Sequence, residues 1–260
     1  MLKGLSQSAK FVNLIYNIQN NILNFPRRKN VFTKSAKYYD LMKSSKNYQE
    51  EANQIMDILN RYGIFSGHIL DLACGTGEHD KYLRSQFQTD GLDLNKDFVE
   101  IAKTKNPEGA YYTGNMIDFE TNKTYDAVIC LYGSIGYTKS LENLSKMIST
   151  CKMNLKKDGL LIIEPWYNPN NWEADIIHTT NVESESISIT RMATGNRDGE
   201  IIFHYLIGEK GKGIEYFTET YEFGLFTHEE LMDVFHKNKF DAVFISHTVQ
   251  KRGLYVAKSL

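Results

Sequence analysis

The chain has 260 residues, with 30 Lys and Arg against 32 Asp and Glu, a formal charge of −2 and 42% hydrophobic residues. This length fits one large domain or a core domain with a substantial insertion, and the balanced charge excludes general electrostatic binding of nucleic acid or of a membrane surface. No apolar run approaches the ~20 residues of a membrane span and no leader-type segment is visible. The three cysteines, Cys74, Cys130 and Cys151, have no metal-type spacing, so the expectation is a cytoplasmic, reducing setting and no metal site.

In chain order, residues 1–30 read as an N-terminal helical extension. Phe11, Leu14, Ile15, Ile18, Ile22 and Leu23 recur at helical spacing, followed by Pro26 and the basic run Arg27-Arg28-Lys29. The pattern predicts a helix docked on the fold or on a second subunit of a homodimer, since its Asn- and Gln-rich polar face has too few cations for a membrane-surface helix. From Thr33 to Tyr62 the pattern is again helical, with Ala52, Ile55, Met56 and Leu59 on one face. Ahead of that face lie Tyr38, Tyr39 and Tyr48, whose flat apolar bodies and polar tips suit closure over a ligand.

Ile69, Leu70 and Leu72 form an apolar run fit for a buried parallel strand, ending in the small-residue turn Ala73-Cys74-Gly75-Thr76-Gly77. A second strand, Thr89 to Leu94, carries Asp93 near its carboxyl end. A glycine turn after one strand and an acid after the next is the general plan for a nucleotide-like ligand, the acid accepting from ribose hydroxyls. A dinucleotide turn wants a third glycine, but Glu78, His79 and Asp80 stand there instead. Acids at that mouth repel a diphosphate and suit a cofactor with an ammonium and a sulfonium. His79 itself reads as a surface residue of the first helical turn, not a base.

Strand and helix then alternate in the α/β manner. A helix over Asp97–Thr104 leads to a strand over Ala110–Thr113 and the loop Gly114-Asn115-Met116, with Asp118 as a solvated turn acid. Tyr125 to Tyr132, including Leu131, reads as the central fourth strand and runs into Gly133-Ser134-Ile135-Gly136-Tyr137. A helix over Leu141–Leu155 and a turn at Lys156–Gly159 precede a fifth strand from Leu160, which ends in Glu164-Pro165-Trp166-Tyr167. Residues 168–226 break the alternation with period-two patterns punctuated by glycines, an antiparallel β insertion of the kind that forms part of a substrate pocket. Thr227-His228-Glu229-Glu230 is a capping box for the last helix, and two final strands, Ala242–Thr248 and Gly253–Ala257, meet near Lys251-Arg252.

The wording Asp71-x-Ala73-Cys74-Gly75-Thr76-Gly77 resembles motif I of class I S-adenosylmethionine (SAM) methyltransferases. The phrases Ser134–Tyr137, Glu164–Tyr167, Gly211–Gly213, Gly224–Phe226 and Arg252–Val256 resemble the nucleotide-sugar amino N-methyltransferases, which dimethylate the amine of a dTDP-aminodeoxyhexose. The similarity runs from about Tyr39 to the end of the chain.

The resemblance implies a Rossmann-like α/β sheet whose last strand is antiparallel, in one methyltransferase domain over residues 31–260. It implies SAM contacts at Tyr48, Ala73, Cys74, Gly75, Gly77, Asp93, Leu94, Asn115, Met116 and Leu131. Tyr39, Lys43, Trp166, Tyr221 and Arg252 then fall around a small-molecule acceptor, with Arg252 facing a phosphate. Asn115 stands where the family has Asp, Lys43 where it has an aromatic, and Tyr221 where histidine is common, departures that bear on the acceptor more than on the fold. Methyl transfer needs alignment more than a catalytic triad, which leaves Tyr137 and Glu164 to orient the nucleophile. The expected function is N-methylation of a nucleotide-linked aminosugar. The alternatives are another small-molecule amine or hydroxyl, or a non-catalytic SAM-binding subunit.

Overall fold

The computed structural model describes residues 32–260, so the helix expected within residues 1–30 lies outside the described residues. β1 (His68–Leu72), β2 (Gln88–Asp93), β3 (Tyr111–Thr113), β4 (Tyr125–Cys130) and β5 (Leu155–Ile163) form a parallel array. It is completed by β10 (Phe240–Ile245) and β11 (Leu254–Ser259) in the order β10–β11–β5–β4–β1–β2–β3, with β11 antiparallel to both neighbours. Its central strands are apolar on both faces because each face is covered by helices. Alternate residues sort by side. Leu70, Leu72, Val128, Leu161 and Ile163 pack with Leu144, Met147 and Ile148 of α5 (Leu141–Asn154) and with Leu231 and Phe235 of α6 (His228–Lys237). Ile69, Ala127, Ile129 and Ile162 face the other way, onto Ala52, Ile55 and Leu59 of α2 (Tyr48–Arg61) and Leu83 of α3 (Glu78–Leu83).

Sequence signals set most boundaries. The Thr227 hydroxyl accepts from Glu230 N at 3.2 Å and the Glu230 carboxylate accepts from Thr227 N at 2.8 Å, so the capping box is formed. Asn95 opens α4 (Lys96–Lys105) by accepting from Asp97 N at 2.8 Å. Two expectations are corrected. The stretch Thr33–Tyr62 is not continuously helical: a short 3₁₀ turn (Ala36–Tyr38) and the one-turn α1 (Tyr39–Met42) precede a break, after which Asn47 caps α2. Residues Lys156–Gly159 are not a connecting turn; they are strand with a bulge, Tyr125 pairing with Leu155 and Ala127 already with Leu160. Asp158 absorbs the bulge at φ 63°.

The insertion is a second sheet of four antiparallel strands, β6 (His178–Glu183), β7 (Ile187–Gly195), β8 (Glu200–Glu209) and β9 (Gly213–Glu222). Ile189, Tyr205, Ile207 and Phe217 on its inner face pack on Tyr38 and Met42. Ala193, Ile201 and Tyr221 pack with Phe223, and Phe32, Tyr137, Trp166 and Trp172 close on that cluster. The insertion therefore stands over the carboxyl edge of the parallel sheet, with the segment Phe32–Met42 between the two sheets.

Candidate active site

The turn after β1 is built from left-handed residues: Ala73 at φ 56°, Gly75 at φ 56° and Gly77 at φ 72°. A non-glycine residue held there, as Ala73 is, stores strain of the kind found at ligand sites. The turn is fixed from below by Asp93, whose carboxylate accepts from Gly75 N at 2.9 Å and from Asn95 N at 2.7 Å. A carboxylate offers about four acceptor positions, so Asp93 keeps capacity for a ligand diol. Burial raises its pKa while those two donors hold it down. A Cβ added at Gly75 would meet no protein atom within 4 Å, whereas one at Gly77 would strike Asn106 and Ala102. Gly75 thus borders open cleft, and Gly77 allows α4 to pack closely.

That cleft, open to solvent, is lined by Tyr39, Tyr48, Ala73, Cys74, Gly75 and Leu131 among the residues expected at a cofactor or acceptor. Asp71, Thr76, Glu78, His79, Tyr132 and Ser134 complete the lining. Asp71 is 2% exposed, and burial together with Asp80 and Asp93 pushes its pKa well up. A cleft-facing carboxylate so destabilised fits a cationic ligand group. Leu94 is 71% exposed beside Asp93, and Asn115, its Oδ1 taken by Ile117 N at 3.0 Å, is exposed on the next loop with Met116 buried beside it. These three and Asp93 border the site without lining the cleft itself.

The segment before α2 lies across the turn. Thr76 Oγ1 donates to Asp40 Oδ1 at 2.5 Å, and Lys105 pairs with both Asp40 and Glu78. At its other end, Glu219 of β9 accepts from Thr33 N at 2.9 Å, Lys34 N at 3.0 Å and Ser35 N at 3.1 Å. The segment is a strap latched to both sheets, and Tyr39 hangs from it into the cleft. His79 is buried rather than superficial, bonded to Glu51 at 2.7 Å with Tyr48 edge-on to its ring, because α2 packs directly over α3.

Beyond the cleft, Tyr132 follows β4 at φ 59°. Glu164 is 1% exposed; it accepts from Tyr132 N at 2.6 Å and pairs with Arg252. Arg252 also donates Nε to Pro165 O at 3.0 Å, and its guanidinium carbon lies 5.4 Å from the Trp166 ring. Tyr221 donates to Glu219 at 2.7 Å and Tyr137 sits 6.5 Å from it, ring to ring. Lys43 donates to the Tyr132 hydroxyl at 2.6 Å. The structure thus brings Lys43, Trp166 and Arg252 around Tyr132, and Tyr137 and Tyr221 beside them under the insertion. Sequence reasoning missed Asp71 as a site residue although it opens the motif, and missed Thr76, Tyr132, Arg191 and Glu219. The last two carry only a period-two signal on strands β7 and β9.

A model described as "Methyltransferase domain" matches residues 69–159, the half of the sheet that carries the glycine turn. The chain is 30% identical over 226 residues to the dTDP-3-amino-3,6-dideoxy-α-D-glucopyranose N,N-dimethyltransferase of Streptomyces fradiae, covering 85% of this chain and 89% of that one. The chain belongs to the SAM-dependent methyltransferases, in the family of that dimethyltransferase. It is also 27% identical to the dTDP-3-amino-3,4,6-trideoxy-α-D-glucopyranose N,N-dimethyltransferase of Streptomyces venezuelae, over 85% of this chain and 96% of that one. The solved structure of Streptomyces venezuelae DesVI superposes with a TM-score of 0.81 at 26% identity, covering 88% of this chain and all of that one (100%).

As a member of this family the protein is an enzyme that uses SAM, and the cleft fits it. Asp71 offers a buried anion for the ammonium, Asp93 open acceptor positions for a ribose, and Gly75 an approach free of side chains. Among the described residues no helix is long and apolar enough to cross a membrane.

Proposed function

We propose that this enzyme N-methylates the amino group of a nucleotide-linked aminosugar. The observation that carries the reading is the extent of the likeness: 226 aligned residues cannot be accommodated without the insertion sheet, which is where an acceptor site would be elaborated. When bound, SAM supplies an electrophilic methyl group; Tyr48, Ala73, Gly75, Asp93, Leu94, Asn115, Met116 and Leu131 surround or border the place for it.

The chain's own work is alignment and exclusion of water. Tyr39 on the strap and Tyr132 after β4 wall the cleft, and burial raises the phenol pKa of both, so each stays a neutral hydrogen-bonding group. Tyr137, likewise raised by burial, lies tilted against Phe223 at 4.6 Å, ring to ring, and is the group proposed to orient the amine. An ammonium has no lone pair with which to attack. The low polarity of the aromatic walls disfavours the protonated acceptor, which is ready for transfer once its proton leaves to water. Glu164 acts through others, holding Tyr132 N and Arg252 in place, and is proposed as a positioning residue rather than as a base.

The test is incubation with SAM and either dTDP-3-amino-3,6-dideoxyglucose or simple amines without a nucleotide, with products read by mass spectrometry. Gain of one or two methyl groups on the sugar nitrogen is expected. Methylation of the simple amines alone would overturn the proposal.

A further inference from the structure

Three elements bring four cationic side chains to one phenol. Lys43, on the loop after α1, lies with Nζ 4.9 Å from the Tyr132 ring centroid; Lys46, on the same loop, is at 4.6 Å; Arg252, before β11, is at 5.7 Å. Arg191 of β7 joins them: burial first, then the charges of Arg191, Lys46 and Arg252, lower the Lys43 pKa to about 7. Two of the four are neutralised, Lys46 by Glu51 and Arg252 by Glu164. Lys43 and Arg191 have no carboxylate partner among the described residues.

Arg191 is the more unusual of the pair. It stands on the inner face of the insertion, in register with Tyr205 of β8 and Thr180 of β6. Its Nη2 donates to Thr180 Oγ1 at 2.9 Å, and the guanidinium lies 4.9 Å from the Phe203 ring. Its Nε is buried with no hydrogen-bond partner. A buried donor left unsatisfied is costly, and a guanidinium fork matches oxyanions bidentately. An uncompensated, planar cation beside an amine and a phenol is a receptor for an anion.

We propose that Arg191 and Lys43 form an anion subsite on the insertion side of Tyr132 that takes the diphosphate of the acceptor. That the diphosphate belongs to a nucleotide rests on the function proposed above; the subsite itself does not. Arg252, already shared between Glu164 and Pro165 O, frames the subsite rather than supplying its free charge. The proposal has a proton signature. Lys43 faces Lys46 from its own loop, Tyr132 from the end of β4, Arg191 from β7 and Arg252 from the loop before β11, with Glu51 and Glu164 paired to two of these. A diphosphate offsets the cationic field and raises the Lys43 pKa, so just above neutral pH binding takes up a proton.

The experiment is calorimetric titration of the full chain with dTDP and, separately, with inorganic diphosphate, in two buffers of different ionisation enthalpy. It compares the parent with Arg191→Gln, Arg191→Lys and Lys43→Met, and SAM binding to each variant reports that it is folded. Arg191→Gln is expected to weaken both probes roughly tenfold or more, with Arg191→Lys recovering only part. Lys43→Met is expected to abolish the buffer-dependent proton uptake. Unchanged diphosphate affinity in a SAM-binding Arg191→Gln variant overturns the proposal, as does undiminished uptake in Lys43→Met. Arg191-dependent binding of inorganic diphosphate with no binding of dTDP supports the subsite and overturns the nucleotide-sugar reading.

Discussion

The carboxyl edge of the parallel sheet and the inner face of the insertion both border the site, yet they contribute polar groups by different means. At the parallel edge the chain leaves the ladder, and backbone becomes available: Ala73, Gly75, Gly77 and Tyr132 all turn left-handed there. On the insertion the backbone is committed to β6–β7–β8–β9 pairing, so only alternate side chains such as Arg191, Glu219 and Tyr221 can act. A site made of backbone accepts few residue types and serves one ligand. A site made of side chains can be respecified one residue at a time with the sheet left intact.

The sharpest way to break this contrast is Gly75→Val. A Cβ there meets no protein atom within 4 Å and points into open cleft, from a backbone at φ +56° that valine resists. SAM affinity is expected to fall by about a hundredfold or more, measured by calorimetry with circular dichroism confirming the fold; near-parental affinity would make the turn merely structural. Asp93→Ala comes next, with a loss of about 1.5–3 kcal/mol in SAM binding, the ordinary worth of hydrogen bonds to a charged group. NAD binding in place of SAM would discard the cofactor assignment altogether.

Asp71→Asn separates binding from stability. The folded pKa of Asp71 is raised, so the unfolded chain loses this proton first and stability falls as pH rises above the usual carboxylate range. The variant should lack that fall. Its melting temperature without SAM is expected to exceed the parent's at neutral pH, by about 2–4 °C for each kcal/mol relieved, while SAM binds more weakly. A lower melting temperature at neutral pH would contradict the raised pKa.

On the acceptor side, Arg252→Lys cannot keep both Pro165 O and Glu164 in a planar fork. A several-fold rise in the acceptor KM with unchanged SAM affinity is expected; identical kinetics on a nucleotide-linked substrate would remove Arg252 from the acceptor site. The smallest effect is expected from deleting residues 1–30, which precede every cofactor motif. SAM titration and sedimentation of the truncated and full chains check it, and a large affinity loss in a folded protein would place that segment in the active site.

The contrast also explains what could be read from sequence. The turn at Ala73–Gly77 and the acid at Asp93 were legible because their spacing follows strand and loop lengths along one stretch of chain. The insertion was legible as strands, since Ile201, Phe203 and Tyr205 alternate with their neighbours, and as pocket wall, but Tyr221 is the one residue of its inner face that the sequence points to. Which residues of β7 and β9 meet the strap depends on pairing between segments far apart, and no local pattern carries that. His79 was misplaced for the same reason: its partner Glu51 lies on α2, and only the packing of α2 over α3 buries the pair. Lys156–Gly159 reads as a turn in sequence because an irregular strand segment and a turn use the same residue types.

Glu219 gathers the three backbone N–H groups of Thr33, Lys34 and Ser35, and the bond to Thr33 spans 186 positions of sequence. Closing a loop of that length carries an entropic cost that these bonds and the burial around them must offset. The Thr33–Ser35 end of the strap is anchored through β9, and its other end by Asp40 on Thr76 and Lys105. A chain that stops short of β9 keeps every residue of the cofactor motif and the Asp40 latch beside Tyr39, but loses the Glu219 latch at the start of the strap.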